Sequence, residues 1–173
     1  MAHAVELFFA RSADAEIRAL WRRLEDAGVP STASQTHGRH DPHVTLAVAS
    51  SIPDHAREAL GAEVRALAIP DLWLYTLGTF PSEDAVLLLS AVVDTEVLAV
   101  HSAVHDVLAG KVTGPSAYYL PGAWIPHCTL SQGITREQLS KGFAALHPLE
   151  PVRAPISSVG VTDTRTGDVA LLT

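Results

Sequence analysis

The 173-residue sequence predicts an α+β fold made from two copies of one unit, strand–helix–loop–strand–helix–strand. Three observations lead there. Short apolar runs alternate with stretches of helical periodicity, and no linker or low-complexity segment separates them. Landmarks also recur: Gly28 returns as Gly110, His43 as His127 and Pro53 as Thr135, at intervals of 82, 84 and 82 residues. The length suits one domain over 1–173, with its repeats lying roughly over 1–80 and 81–173.

Each element follows from local chemistry. Val5–Ala10 (VELFFA) is a short apolar, aromatic run and reads as a buried strand. Ser12 or Asp14 can cap the next helix, Ile17, Leu20, Trp21 and Leu24 form its apolar stripe, and Gly28 stops it. A polar loop runs from Val29 to Pro42, and His43–Ala49 (HVTLAVA) is a strand. Pro53 and Asp54 open a second helix with Leu60, Val64 and Leu67, ended by Pro70, ahead of a strand at Leu72–Leu77. The second half repeats the order. Ala85–Val93 is a strand, Asp94 or Thr95 caps a helix with Val97, Val100, Val104 and Leu108, and Gly110 ends it. The long loop Lys111–Pro126 precedes a strand beginning at His127–Ser131. Thr135 caps a helix with Leu139, Phe143 and Leu146, halted at His147-Pro148. Ile156–Val161 and Val169–Leu172, joined at Thr166-Gly167, read as a hairpin.

Composition narrows the function. Twelve Lys plus Arg stand against 19 Asp plus Glu, a net charge of −7, and the deficit is spread over both halves. Binding along a nucleic-acid backbone runs on clustered cations, so no extended nucleic-acid partner is expected. The single cysteine, Cys128, leaves no internal disulfide and no four-thiolate zinc site. The N-terminal MAHAVELFFARSADAE lacks the charged region of a signal peptide, and no apolar run approaches the roughly 18 residues of a membrane span. The expectation is a reduced, cytoplasmic monomer without a membrane partner.

Two segments stand out, Pro42-His43-Val44-Thr45-Leu46 and Pro126-His127-Cys128-Thr129-Leu130. A lone His-x-Ser/Thr arises by chance on the order of once in such a chain, but two copies flanked alike, at equivalent points of a repeat, are a specific signal. On a strand, side chains alternate faces. His43 and Thr45 therefore point one way, as do His127 and Thr129, while Val44, Cys128, Leu46 and Leu130 face a core. Cys128 reads as a small buried hydrophobe, not a nucleophile. If the halves pack about a pseudo-two-fold axis, each presents one imidazole and one hydroxyl to a shared cleft. An imidazole titrates near neutrality, so one can accept a proton while the other donates. Displacement at a cyclic phosphodiester suits that pairing, with the threonine hydroxyls bonding the non-bridging oxygens. Such chemistry calls for neither metal nor cofactor.

These paired P-H-x-T-L motifs on a duplicated frame resemble the 2H phosphoesterases, the 2′-5′ RNA ligase-like or cyclic phosphodiesterase superfamily. The resemblance spans essentially the whole chain. It implies a bilobal α+β fold with antiparallel sheets flanking a central cleft. It also implies metal-independent hydrolysis or transfer at 2′,3′-cyclic, 1″,2″-cyclic or 2′,5′-linked ribose phosphates. His43, Thr45, His127 and Thr129 match the family's catalytic positions. The chain departs from the bacterial RNA cyclic phosphodiesterase branch at Ala47-Val48-Ala49, where that branch tends to carry an aromatic-Leu-Gly ending. It departs again at Ser131-Gln132-Gly133, where an Arg is usual. The implied partner is a small cyclic nucleotide or an RNA-end phosphate. A non-catalytic nucleotide or RNA-end binding module is the rival reading, and a metal-dependent hydrolase trails it.

Other residues are candidates for substrate contact. Arg11 follows the first strand and could reach a phosphate, and Arg39, with His37 and His40, could add positive charge at the cleft mouth. Tyr118, Tyr119 and Trp124 sit in the loop before the second motif, where aromatics can stack on a base. Trp21 and Trp73 read as core. His101 and His105, at helical i,i+4 spacing, could form half a zinc site, as could the histidines of residues 37–43, though neither group shows a complete ligand set.

Overall fold

The computed structural model describes residues 2–173. Strands β1 (His3–Phe9), β2 (His43–Ser51), β3 (Leu72–Gly78), β4 (Ala85–Ala91), β5 (Thr113–Pro115), β6 (His127–Ile134), β7 (Val152–Ala154), β8 (Ile156–Asp163) and β9 (Val169–Leu171) form two antiparallel sheets. Helices α1 (Arg11–Asp26), α2 (Asp54–Ala66), α3 (Thr95–Leu108) and α4 (Arg136–Leu146) complete the α+β fold that the sequence predicts. None of these helices is long and apolar enough to cross a membrane.

The two repeats exchange parts. One sheet runs β5-β2-β1-β8-β9 and the other β6-β4-β3-β7. In each, the first strand of one half has that half's histidine strand on one side and the other half's third long strand on the other. A boundary near residue 80 therefore divides the repeat in sequence but not the sheets in space. The helices cross over as well: α1 packs with α4 and α2 with α3. The core is continuous, from Ile17 and Leu24 through Leu46 and Leu60 to Leu87, Leu130 and Leu146.

Several local expectations hold and others change. The α1 stripe of Ile17, Leu20, Trp21 and Leu24 is buried as the spacing requires. Neither Ser12 nor Asp14 caps that helix, because it begins one residue after the strand and its N-cap is Ala10, which has no side-chain acceptor. Asp14 lies in the first turn, where its negative charge suits the helix dipole, and it receives the Arg18 guanidinium at 2.8 Å. Asp94 does cap α3, accepting from Val97 N–H at 2.9 Å. Leu67 falls just past the end of α2 in an extended conformation. Trp73 is half-buried, not core, with the guanidinium of its cross-strand partner Arg153 4.1 Å from its ring centre.

Thr135 closes a capping box on α4: its hydroxyl accepts from Gln138 N–H at 3.1 Å and the Gln138 side chain accepts from Thr135 N–H at 2.9 Å. Replacing Thr135 with Ala orphans one of these donors. The variant should lose about 1 kcal/mol in urea denaturation with an unchanged m-value. An undiminished midpoint would show that the box adds nothing.

Candidate active site

The site forms where β2 and β6, one from each sheet, come together. β6 is an edge strand, and β2 pairs with the short β5 only at Ala49 and Ser51, so the motif segments have one flank free of strand partners. Both strands carry a bulge at the same motif position. In β1–β2 the register passes from Thr45 to Ala47, and in β4–β6 from Thr129 to Ser131. The extra residue is Leu46 or Leu130. The bulge lets that leucine and its successor both turn inward, so alternation holds through the motif and then stops.

His43, Thr45, His127 and Thr129 line one cleft of about 210 Å³. The two imidazoles are held alike. Nδ1 of His43 donates to the Asp41 carbonyl and Nδ1 of His127 to the Ile125 carbonyl, each at 2.7 Å. A carbonyl can only accept, so each Nδ1 carries the hydrogen and each Nε2 is the nitrogen left for chemistry. Phe8 stands edge-on to His43 and Phe80 edge-on to His127.

The free strand flanks are satisfied by the opposite half. Trp124 Nε1 donates to the Thr45 carbonyl at 2.9 Å, and Thr32 Oγ1 donates to the Thr129 carbonyl at 3.1 Å. The Gln35 side chain both donates to the Gln132 carbonyl and accepts its N–H. Each long loop thus fixes the other half's motif strand.

The charge environments of the two histidines differ. Burial holds the His127 imidazolium below its ordinary range; the Ile125 carbonyl partly opposes this and the nearby His43 adds to it. His43 Nε2 instead lies 3.4 Å from Oε1 of Glu6, a carboxylate only 6% exposed, whose other oxygen accepts from the Thr162 hydroxyl. Sequence reasoning passed over Glu6. Its one signal was a charged residue inside the apolar run VELFFA.

The other candidates part company. Tyr119 lines the cleft, and its phenol is pushed up by burial and by Glu6, so it stays neutral. Arg39 lines the cleft too, but its guanidinium is engaged by Asp168 and the Thr166 carbonyl. His40 is pushed down to about 4 by burial and by the charges of His37 and His43. Arg11 is exposed at the start of α1 and is not among the cleft-lining residues. Trp124 is buried and turned away from the cleft, because its indole spans the Thr45 carbonyl and a stacking partner, His101. Tyr118 is 85% exposed beside a second hollow of about 630 Å³ that Phe80, Tyr119, Ile125 and His127 also line. Cys128 is buried behind the motif, its thiol pushed up to about 12 by desolvation.

His101 and His105 do not make half a metal site. His101 is 2% exposed, stacked on Trp124 with ring centres 4.0 Å apart, and its Nε2 donates to the Tyr119 carbonyl at 2.8 Å. His105 Nε2 donates to the Leu46 carbonyl at 3.1 Å. Among the described residues, no three His, Cys, Asp or Glu side chains gather as metal ligands.

These contacts generate two expectations. Burial pushes His101 down to about 4, with the Tyr119 hydrogen bond opposing and His105 adding. Unfolded His101 takes up a proton near pH 6.5 that the folded chain refuses until about pH 4, so the stability held above pH 6.5 drains away as pH falls through that window. The loss should total about 3 kcal/mol, and His101→Gln should flatten that part of a urea-midpoint-against-pH curve; an identical slope would clear His101. Trp124→Phe, which strands the Thr45 carbonyl, should cost about 1–2 kcal/mol of stability. KM should rise in that variant only if Trp124 served as a base platform.

Comparison with known proteins agrees with the geometry. The family model described as "2'-5' RNA ligase superfamily" matches residues 10–168. No curated protein matches the sequence. Among solved structures, the fold is similar to the MHV ns2 PDE domain, with a TM-score of 0.54 and 17% identity over 78% of this chain and 85% of that one. It is also similar to Kluyveromyces marxianus Usb1 with uridine monophosphate, with a TM-score of 0.53 and 12% identity over 99% of this chain and 97% of that one. At these identities the likeness is one of fold.

Proposed function

Because this chain belongs to the 2′-5′ RNA ligase superfamily, we propose that it is a phosphoesterase that opens cyclic or 2′,5′-linked ribose phosphodiesters by two-histidine acid–base catalysis. One observation carries the reading: two imidazoles in one cleft, each with Nδ1 committed to a carbonyl two residues upstream and Nε2 left toward the cavity. A binding module needs polar contacts, but it has no use for two oriented proton-transfer groups.

The reaction balances with these groups and water. With a 2′,3′-cyclic phosphate, a neutral imidazole takes a proton from water as its oxygen bonds to phosphorus. The opposite imidazolium gives its proton to the departing ribose oxygen as that P–O bond breaks. The product is a phosphate monoester with a free hydroxyl, and solvent exchange resets both rings. Thr45 and Thr129 donate to the non-bridging oxygens, where charge builds in the transition state. The roles of these four residues are part of the proposal.

Charge and shape bear on substrate size. Among the described residues, Arg39 is the only Lys or Arg lining the cleft, and it is already paired. A single phosphate group fits that balance better than a polyanion. The hollow beside Phe80, Tyr118 and Tyr119 offers an aromatic wall on which a nucleobase could lie. The similarity to a structure solved with uridine monophosphate supports a small nucleotide or an RNA end.

Chelator-treated protein should hydrolyse 2′,3′-cyclic nucleotides or cyclic-phosphate-ended oligonucleotides with a bell-shaped pH profile. His43→Ala and His127→Ala should each lower kcat about 10²–10⁴-fold. Full activity in either variant would overturn the mechanism. Activity lost to chelator and restored by zinc would replace it with a metal-dependent one, and tight nucleotide binding without turnover would favour the binding module.

A further inference from the structure

We infer that Glu6 is a positioning residue that breaks the pseudo-symmetry of the two histidines, holding His43 as the imidazolium and so making it the general acid, with His127 the base. The inference rests on the two-histidine reading.

The repeat exposes the asymmetry. In register, Glu6 of β1 stands opposite Thr45 and Leu88 of β4 stands opposite Thr129. The two frames therefore match in Nδ1 anchoring and in the bulge but differ opposite the threonines, a carboxylate against an isobutyl group. Cross-strand partners share a face, so Glu6 lies on the cleft side with Thr45. Thr162, opposite Ala4 and two positions along from the Glu6 partner Gly160, holds Oε2 and leaves Oε1 toward His43.

Around His43, the charged and titratable groups are few. Glu6 approaches from β1, Asp41 and His40 from the preceding loop, His127 and the buried Cys128 thiol from β6, and Tyr119 lies near Glu6. Cys128, Tyr119 and His40 are neutral near pH 7, and Asp41 is paired with Arg18. Among the described residues, the His43 ring is the sole cationic partner within ion-pair distance of Glu6. A buried carboxylate needs a counter-charge. With Nδ1 already donating to Asp41, a neutral His43 would aim its Nε2 lone pair at Oε1, whereas the imidazolium presents N–H there. At 3.4 Å the contact is too long to commit that proton to Glu6, so it remains deliverable to a leaving oxygen. His127 meets an aromatic edge instead of an anion, and it is kept neutral with a basic Nε2. The leaving ribose oxygen then lies toward β1 and β2, and the attacking water toward β6.

The test reads both ring state and rate in protein carrying 15N-histidine. Long-range 1H–15N spectra across pH should show His127 losing its imidazolium signal at lower pH than His43. Glu6→Gln keeps shape and can keep the Thr162 contact, so it should remain folded. It should make the His43 ring lose its imidazolium signal earlier than in the wild type as pH rises, move the alkaline limb of the pH–rate profile to lower pH, and cut kcat about 10-fold at pH 8 with little change in KM. Thr162→Val, which only loosens the carboxylate, should shift both readouts in the same direction by less. The inference is overturned if His43 is neutral before His127 in the wild type, or if Glu6→Gln leaves ring and profile unmoved while cyclic phosphates are still hydrolysed. If no cyclic or 2′,5′ phosphodiester is turned over but the ring responds to Glu6→Gln, the charge-holding role stands and the phosphoesterase reading falls.

Discussion

Two β-strands lie side by side in this molecule without pairing to each other, and most of its architecture answers that arrangement. Hydrogen bonding β2 to β6 directly would close the gap between the sheets and remove the cleft. Leaving the two strands apart exposes backbone groups that must find partners, since a buried unpaired carbonyl costs about 1–3 kcal/mol. The long loops supply those partners crosswise. Trp124 serves Thr45 and Thr32 serves Thr129, while His105 of α3 adds a bond to Leu46. The two long loops thus bond the backbone of the motif strands that no strand partner reaches.

That crossing explains why the halves cannot be cut apart cleanly. β3 leaves the first half to join β4 and β7, and β8 leaves the second to join β1. Each sheet then contains strands from both repeats, and the core runs unbroken through them. Duplication supplies two equivalent pairs of histidine and threonine, while strand exchange forces them to face one another. Equivalence also has limits. The two rings lie in different electrostatic surroundings, and the copies diverge where Glu6 faces Thr45 in one and Leu88 faces Thr129 in the other.

Much of this was legible in the residues. The positions of the long strands, the four helices, the two motifs and the inward-facing Cys128 follow from periodicity and repeat register, because those signals are local. The short β5 and β7 were not legible, since three-residue strands such as Thr113–Pro115 take their form from a neighbour and not from propensity. The placing of Trp124 is illegible for a related reason: a tryptophan in a polar loop looks available for stacking until the carbonyl it serves is known. Glu6 hid inside a run of apolar residues, where one carboxylate is a weak signal without its partners.

The sequence by itself determined that two histidines and two threonines would project from equivalent strands, because side-chain alternation and an 84-residue recurrence are properties of the chain. It could not say which imidazole keeps its proton. The surroundings that distinguish the two rings are the burial of His127, a carboxylate 37 positions from His43 in sequence and 3.4 Å away in space, and a threonine near the far end of the chain that holds it. Electrostatic energy falls with distance and grows with desolvation, and both quantities exist only once the sheets have closed around the cleft.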